Sequence, residues 1–336
     1  MASEYFALPP DEKREALAYA AAESGRPLHL LQKDVWVVWT LRELFRSPFA
    51  EHLVFKGGTS LSKAYRIIER FSEDIDITYD IRAIASDLVG STHDALPPTR
   101  SQSKKWSDVI RQRLRAWVAD EMLPYLAERV AATDRDASAS AADDTISIAY
   151  RPLAEGTGYV APEVKIEFGA RSTGEPVEMR AIVADAASHL PNVKFPEAIA
   201  RTMTAARTFW EKATAIHVFC LQGELSGDRF SRHWYDLVEL DAKGVAGRAI
   251  KDRALAQKVA AHKAMFFRET TAGGEVIDYS AAVSGALRLV PEGRAKVLLM
   301  ADYRKMIEDG LLPANARSFE EILTLCGVIA GRANSE

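Results

Sequence analysis

Cysteine is scarce in this sequence: Cys220 and Cys326 are the only two among 336 residues. No Cys-x-x-Cys pair exists, which argues against a zinc knuckle. Both stand among apolar neighbours (Val218-Phe219-Cys220-Leu221 and Leu323-Thr324-Leu325-Cys326) and read as buried free thiols. An excess of positive charge is also missing. The 43 Lys and Arg against 47 Asp and Glu leave a formal net charge of -4. No global basic field is therefore available for nucleic acid, and any such contact must come from a local patch. No uninterrupted apolar run reaches membrane length, and the opening Met1-Ala2-Ser3-Glu4-Tyr5-Phe6 does not read as a signal peptide. The expectation is a cytoplasmic protein with no membrane partner. No internal repeat is visible. What is present is ordinary globular material: 48% apolar and 27% charged residues, enough for one large domain or two modest ones with a sizeable core.

Along the chain, residues 10–24 read as a helix, opened by Pro9-Pro10 and Asp11 and closed by Gly25. Pro27 starts a longer helix to about Phe45 that is apolar on more than one side, the mark of a buried helix. Leu53-Val54-Phe55 suits a buried strand, and Gly57-Gly58 breaks it. Residues 60–70 read as a helix, and 74–79 alternate as a strand. A long helix is expected over 101–132, then a flexible Asp-, Ala- and Ser-rich connection over 133–144. Strands are expected at 145–150, 162–168 and 177–184. From about 200 onward only helices are expected, near 200–221, 229–243, 248–268, 293–309 and 317–331. The class is α+β: N-terminal helices, a mixed sheet core and a helical C-terminal half. The expected boundary lies near Leu190-Pro191-Asn192, giving domains 1–195 and 196–336.

The chemistry concentrates in Phe55-Lys56-Gly57-Gly58-Thr59-Ser60 and Arg70-Phe71-Ser72-Glu73-Asp74-Ile75-Asp76-Ile77. Two glycines after a strand let the backbone turn tightly and approach a ligand. Thr59 and Ser60 then fall at a helix N-terminus, whose unpaired N–H groups suit a phosphate. Asp74 and Asp76, two apart on a strand, leave the same face. Paired carboxylates repel each other, and a hard divalent cation resolves the conflict. Taken separately, a Gly-Gly turn and an Asp-x-Asp are both common structural features. Their combination is the layout of two-metal phosphoryl or nucleotidyl transfer.

This block closely resembles the AbiEii/AbiGii toxin family, the nucleotidyltransferase-like toxins of type IV toxin–antitoxin systems within the DNA-polymerase-β-like nucleotidyltransferase superfamily. The resemblance is most specific over residues 53–79. Asp74 lies sixteen positions after Gly58, longer than usual in the superfamily but at home in the toxin branch. The family implies a nucleotidyltransferase-like mixed sheet, a nucleoside triphosphate substrate, two Mg²⁺ ions and an antitoxin encoded nearby. It makes Lys56, Gly57, Gly58, Thr59 and Ser60 candidate nucleotide-binding residues, and Asp74 and Asp76 the catalytic metal ligands.

Such sites take a third carboxylate from a later strand, and Glu167 in Val164-Lys165-Ile166-Glu167-Phe168 is the candidate ligand or base, with Glu163 as a substitute. The alternative is a surface ion pair of Glu167 with Lys165. The family also carries a helical Lys, matched by Lys212 in Glu211-Lys212-Ala213, and an R/K-D-x-x-D motif. The latter is partly matched by Arg232-His233-Trp234-Tyr235-Asp236, with His233 where Asp is usual. Lys212 and Arg232 are then expected to bind nucleotide, with Asp236 orienting one of them. The alternatives are a snorkelling lysine and an Arg232–Asp236 helix-surface pair. Lys33-Asp34 also resembles the family's pattern and belongs either to the cleft or to a helix edge. His29 and His217 lack metal-ligand spacing to any partner.

Some members of the family resemble enzymes that add nucleotides to the 3′ end of tRNA and so block translation. Lys104, Lys105, Arg111, Arg113 and Arg115 offer phosphate contacts for such an acceptor, or are a solvated helix face. Trp106 and Trp117 on the same helix fit core positions. A protein or small-molecule acceptor, and a non-catalytic binding protein, are the competing readings.

Overall fold

The computed structural model describes residues 3–90, 94–155, 160–223, 229–313 and 315–336. Nine strands are found among them: β1 (Ser3–Glu4), β2 (Leu53–Lys56), β3 (Ile75–Asp80), β4 (Ser138–Ala142), β5 (Thr145–Ala149), β6 (Glu163–Ser172), β7 (Val177–Val183), β8 (Val193–Lys194) and β9 (Glu197–Met203). β1 and β8 form a short parallel pair. The other seven make one sheet in the order β4-β5-β6-β3-β2-β9-β7. β3 runs antiparallel to β2 and parallel to β6, so the sheet is mixed, as expected for this α+β chain.

The described chain divides into two compact units. The first comprises Met1–Ala64, Glu73–Gly90 and Asp108–Thr202, and the second Tyr65–Ser72, Ser91–Ser107 and Met203–Glu336.

In the first unit, Ile75 and Ile77 of β3 and Ile166 of β6 are fully buried on one face of the sheet. Burying each such side chain is worth roughly 1.5–3 kcal/mol. A slip of one residue would turn all of them to the opposite face, so the apolar alternation fixes the register. The Leu28–Leu44 helix is buried almost all round. Trp36 on it stacks on Tyr150, with ring centroids 5.4 Å apart and planes 11° from parallel.

In the second unit, the Ala205–Gln222 helix starts where the Thr204 side chain caps the N–H of Arg207. Two buried tryptophans satisfy their indole N–H groups on backbone carbonyls. Trp210 donates to Ala249 O at 2.9 Å and Trp234 to Leu289 O at 2.8 Å. The Phe319–Ser335 helix opens with a capping box of Ser318 and Glu321. Among the described residues no helix is long and apolar enough to cross a membrane.

Four expectations are corrected. The helix expected over 60–70 starts earlier, at Gly57, and ends at Ala64. Arg66 has φ 51°, a left-handed conformation that ends the helix, although the apolar spacing continues through Ile68. The connection over 133–144 contains β4, hairpinned onto β5 across Asp143 at φ 55°. Its Ser-Ala-Ser-Ala-Ala sequence has little strand propensity, and pairing with β5 supplies the order. Residues 197–203 are a strand and not the start of a helix. Their alanines favour helix, but alternate residues are buried and Phe55 pairs with Thr202. Of the two thiols, Cys326 is buried as expected whereas Cys220 is only half-buried. Burial still pushes the Cys220 thiol up to about 12, which keeps it protonated and unreactive.

Candidate active site

The first-unit candidates converge on one face of the sheet. Asp76 on β3 is the register partner of Lys56 on β2 and of Glu167 on β6. Register partners present their side chains to the same face, so the sheet itself sets Asp76 and Glu167 side by side. Asp74 lies one residue before β3 begins, two positions from Asp76. The opposite face carries the buried Ile75 and Ile77, as the alternation predicts.

Gly57 is the closest neighbour this geometry demands. Its φ is +77°, and a Cβ placed there would lie 2.0 Å from Asp76 Oδ2. The Asp76 carboxylate therefore occupies the volume of the missing side chain. Any other residue at 57 displaces the carboxylate and is strained in its own backbone. Lys56 Nζ stands 3.9 Å from Asp76 Oδ1, a loose pair on a partly exposed surface.

Thr59 and Ser60 are turned inward. Both are fully buried. The Thr59 hydroxyl donates to Asp74 O, and the Ser60 hydroxyl donates to Gly57 O at 2.8 Å. These hydroxyls stitch the glycine turn to the acid segment. The hydrogen bond from Thr59 joins the two halves of the motif directly.

Lys165 pairs with Glu163, at 3.2 Å. That hydrogen bond and charge, with smaller contributions from Asp74 and Glu73, raise the Lys165 pKa. Glu163, the substitute acid, is thus a partner of Lys165.

Two buried lysines make contacts that the sequence does not announce. Lys33, buried on the Leu28–Leu44 helix, donates to Glu73 Oε2 at 2.6 Å and to Ala161 O at 3.1 Å. Lys63 Nζ lies 2.5 Å from Asp34 Oδ1 and 2.6 Å from Asp185 Oδ1. A run of Gln32, Lys33 and Asp34 inside an apolar helix was the available signal, since buried polar residues require partners.

Among the described residues no three His, Cys, Asp or Glu side chains form a ready-made metal cage. The residues nonetheless fit a hard divalent cation. Mg²⁺ uses one or two carboxylates, with water and substrate phosphates completing its shell. Asp76 offers a carboxylate that is 31% exposed, in a cradle that only a glycine leaves open.

Lys212, Arg232 and Asp236 belong to the second unit. Lys212 Nζ is 2.8 Å from Asp236 Oδ2, and both groups are buried. Asp236 is also held by Arg70, a residue of the motif block to which no site role is assigned by its spacing. Burial would raise the Asp236 pKa, but the two cations hold it well below the usual carboxylate range. Burial lowers that of Lys212, against the pull of Asp236. Asp236 is thus no helix-surface partner of Arg232, and Lys212 is no snorkelling lysine.

On the long helix, Arg113 is paired with Asp87 at 2.5 Å, Arg115 with Asp143 at 3.4 Å and Arg111 with Asp108 at 3.9 Å. Trp106 is buried. Trp117 packs on Phe49, Tyr79 and Phe168. Both tryptophans are therefore structural.

No curated protein matches the chain. Among solved structures, it is similar to MenT4, a nucleotidyltransferase toxin from Mycobacterium tuberculosis, at 16% identity over 95% of this chain and 98% of that one, with a TM-score of 0.41. It is similar also to JHP933 from Helicobacter pylori, at 16% identity over 92% and 93% of the two chains, again with a TM-score of 0.41. The sequence model of the nucleotidyl transferase AbiEii toxin of type IV toxin–antitoxin systems matches residues 39–325. That span is most of the chain, and the protein belongs to this family of nucleotidyltransferase toxins.

Proposed function

We propose that the chain transfers a nucleoside monophosphate from a nucleoside triphosphate to the 3′ end of tRNA, with two Mg²⁺ ions held by Asp74, Asp76 and Glu167. The family itself implies a triphosphate substrate, a divalent metal and a cognate antitoxin. The acceptor, the choice of Mg²⁺ and the individual residue roles are our reading, as is a cytoplasmic site of action. Bound there, the ions would supply charge neutralisation to the triphosphate and the departing pyrophosphate.

The observation that carries the reading is the contact of Asp76 with the space above Gly57. It sets a metal-binding carboxylate directly against a turn whose backbone a phosphate can approach. Asp74 and Asp76, with Glu167 beside them, would hold the cations. Lys56 offers a positive charge at the rim, and Gly57 and Gly58 offer unhindered backbone. Thr59 and Ser60 act by fixing that turn. Glu167 accepts the proton of the attacking hydroxyl. The new bond joins that oxygen to the α-phosphorus, and the bond from the α-phosphorus to the bridging oxygen breaks to release pyrophosphate. Lys212 and Arg232 keep the phosphate-neutralising role that their motifs imply, with Asp236 fixing the direction of Lys212.

For the acceptor, the long basic helix supplies less than its sequence suggests, because three of its arginines have carboxylate partners. Lys104 and Lys105 are exposed and are its better candidates for phosphate contact. The test is label transfer: purified protein, Mg²⁺, each α-labelled nucleoside triphosphate in turn and total tRNA, beside the Asp76→Ala variant. Label on tRNA with wild type alone is the expected result. Label on another acceptor moves the substrate to a protein or small molecule. A folded Asp76→Ala variant with full activity overturns the site.

A further inference from the structure

Lys33 and Asp34 are consecutive residues on the Leu28–Leu44 helix, and both are buried, at 3% and 4% exposure. Neighbours in a helix do not face the same partner, and these two do not. Lys33 reaches Glu73, the residue immediately before Asp74, at 2.6 Å. Asp34 reaches Lys63 at 2.5 Å, and Lys63 lies in the short helix that Gly57 opens. The second oxygen of Asp34 accepts from the N–H of Asp185 at 2.6 Å, and the carboxylate of Asp185 closes the triangle on Lys63. One residue therefore grips the segment carrying the first acid, and the next grips the glycine turn.

Buried ion pairs of this kind are poor sources of stability, since apolar side chains of similar volume do as well or better. Their effect here is geometric. The helix that holds both is buried almost all round, so it offers the two segments a packed reference. The Thr59 hydroxyl on Asp74 O joins the two gripped segments at their far ends.

We infer that Lys33 and Asp34 are the positioning residues of the acid site, which fix Asp74 and the glycine turn at the spacing a divalent cation requires. This rests on the metal reading given above. Outer partners of metal ligands typically alter metal affinity by about tenfold to a hundredfold when removed.

The experiment measures Mn²⁺ binding by electron paramagnetic resonance, with the Mg²⁺ dependence of label transfer alongside, for wild type, Asp76→Ala, Lys33→Met, Lys33→Arg and Glu73→Gln. Lys33→Met and Glu73→Gln are expected to weaken Mn²⁺ binding by about tenfold and raise half-saturating Mg²⁺ in step. Their rate at saturating Mg²⁺ should stay within about threefold of wild type, and Lys33→Arg should restore most of the loss. Glu73→Gln keeps an acceptor for Lys33, so it reports even if Lys33→Met fails to fold. A lower thermal midpoint with unchanged Mn²⁺ affinity in the folded variants overturns the inference and leaves the metal site standing. Wild type that binds no Mn²⁺, or Asp76→Ala that binds it as well as wild type, overturns the metal reading and the inference with it.

Discussion

Arg70 holds Asp236 through two parallel hydrogen bonds, Nε to Oδ1 at 2.6 Å and Nη2 to Oδ2 at 2.8 Å. Lys212 adds a third donor at 2.8 Å to a carboxylate with no exposed surface. Asp236→Asn would leave two buried cations facing a neutral amide. The expected loss is about 3–5 kcal/mol, the usual result of removing one partner from a buried pair. Lys212→Met keeps the bidentate Arg70–Asp236 pair and removes only the second cation, so it should cost clearly less. Urea denaturation of the two variants checks this ranking. Equal losses would mean that Lys212, and not Arg70, is the principal counter-ion.

Gly57→Ala should abolish transfer while leaving most of the stability. The new methyl group must displace the Asp76 carboxylate, 2.0 Å away. Gly25 is the matched control. Its φ of +70° is nearly the same, and a Cβ there meets nothing within 4 Å. Both variants carry a left-handed strain of about 1–2 kcal/mol. Only Gly57→Ala should lose activity, by about a hundredfold or more, as expected when a reacting group is moved by an ångström. Comparable activity in the two variants would detach Asp76 from the chemistry.

Asp76→Asn should unfold at the same temperature as wild type or slightly higher when chelator is present. Asp76 stands beside Glu167 on one sheet face, and its cationic neighbour Lys56 is loose and partly exposed. Exposed pairs contribute little, and functional clusters of like charge are commonly built at a cost in stability. Added Mg²⁺ and triphosphate should raise the wild-type midpoint and not that of the variant, because only ligand binding to the native state stabilises. Differential scanning fluorimetry reads both effects.

The acid face was legible because strand alternation is local. Asp76 over Ile75 and Ile77 needs only a two-residue period, and Glu167 followed from the same alternation in β6. What stayed hidden depends on distant partners. Arg70 meets Asp236 across 166 residues and Lys33 meets Glu73 across 40, so no spacing announces either pair. Strand β9 was missed for a related reason. Its alanines favour helix, and pairing with β2 on one side and β7 on the other makes them a strand. Thr59 and Ser60 show a third limit. Their position beside the glycines is plain in the sequence, but whether a hydroxyl turns toward a ligand or toward its own backbone is decided by packing. Here both are buried on backbone carbonyls.

His217 gives the chain a stability that depends on pH. It is 3% exposed, and its Nδ1 accepts the N–H of Arg288 at 3.1 Å. That bond requires neutral imidazole. Burial, and then the charge of Arg288, lower its pKa from 6.5 to about 4, with Asp278 opposing weakly. The folded state therefore binds fewer protons than the unfolded state between these two values. Stability contributed by neutral His217 is complete above about pH 6.5 and is lost as pH falls toward 4, by about 3 kcal/mol in all. His233, also lowered by burial and by the charges of Lys212 and Arg232, acts with the same sign. A difference measurement isolates His217. His217→Asn keeps a side-chain acceptor without a titrating group, so urea-unfolding free energies of the variant and wild type should converge as pH falls from 7 to 4. Parallel curves would mean that His217 takes up its proton at the same pH in the folded and unfolded states, so that burial and the bond from Arg288 do not hold the imidazole neutral.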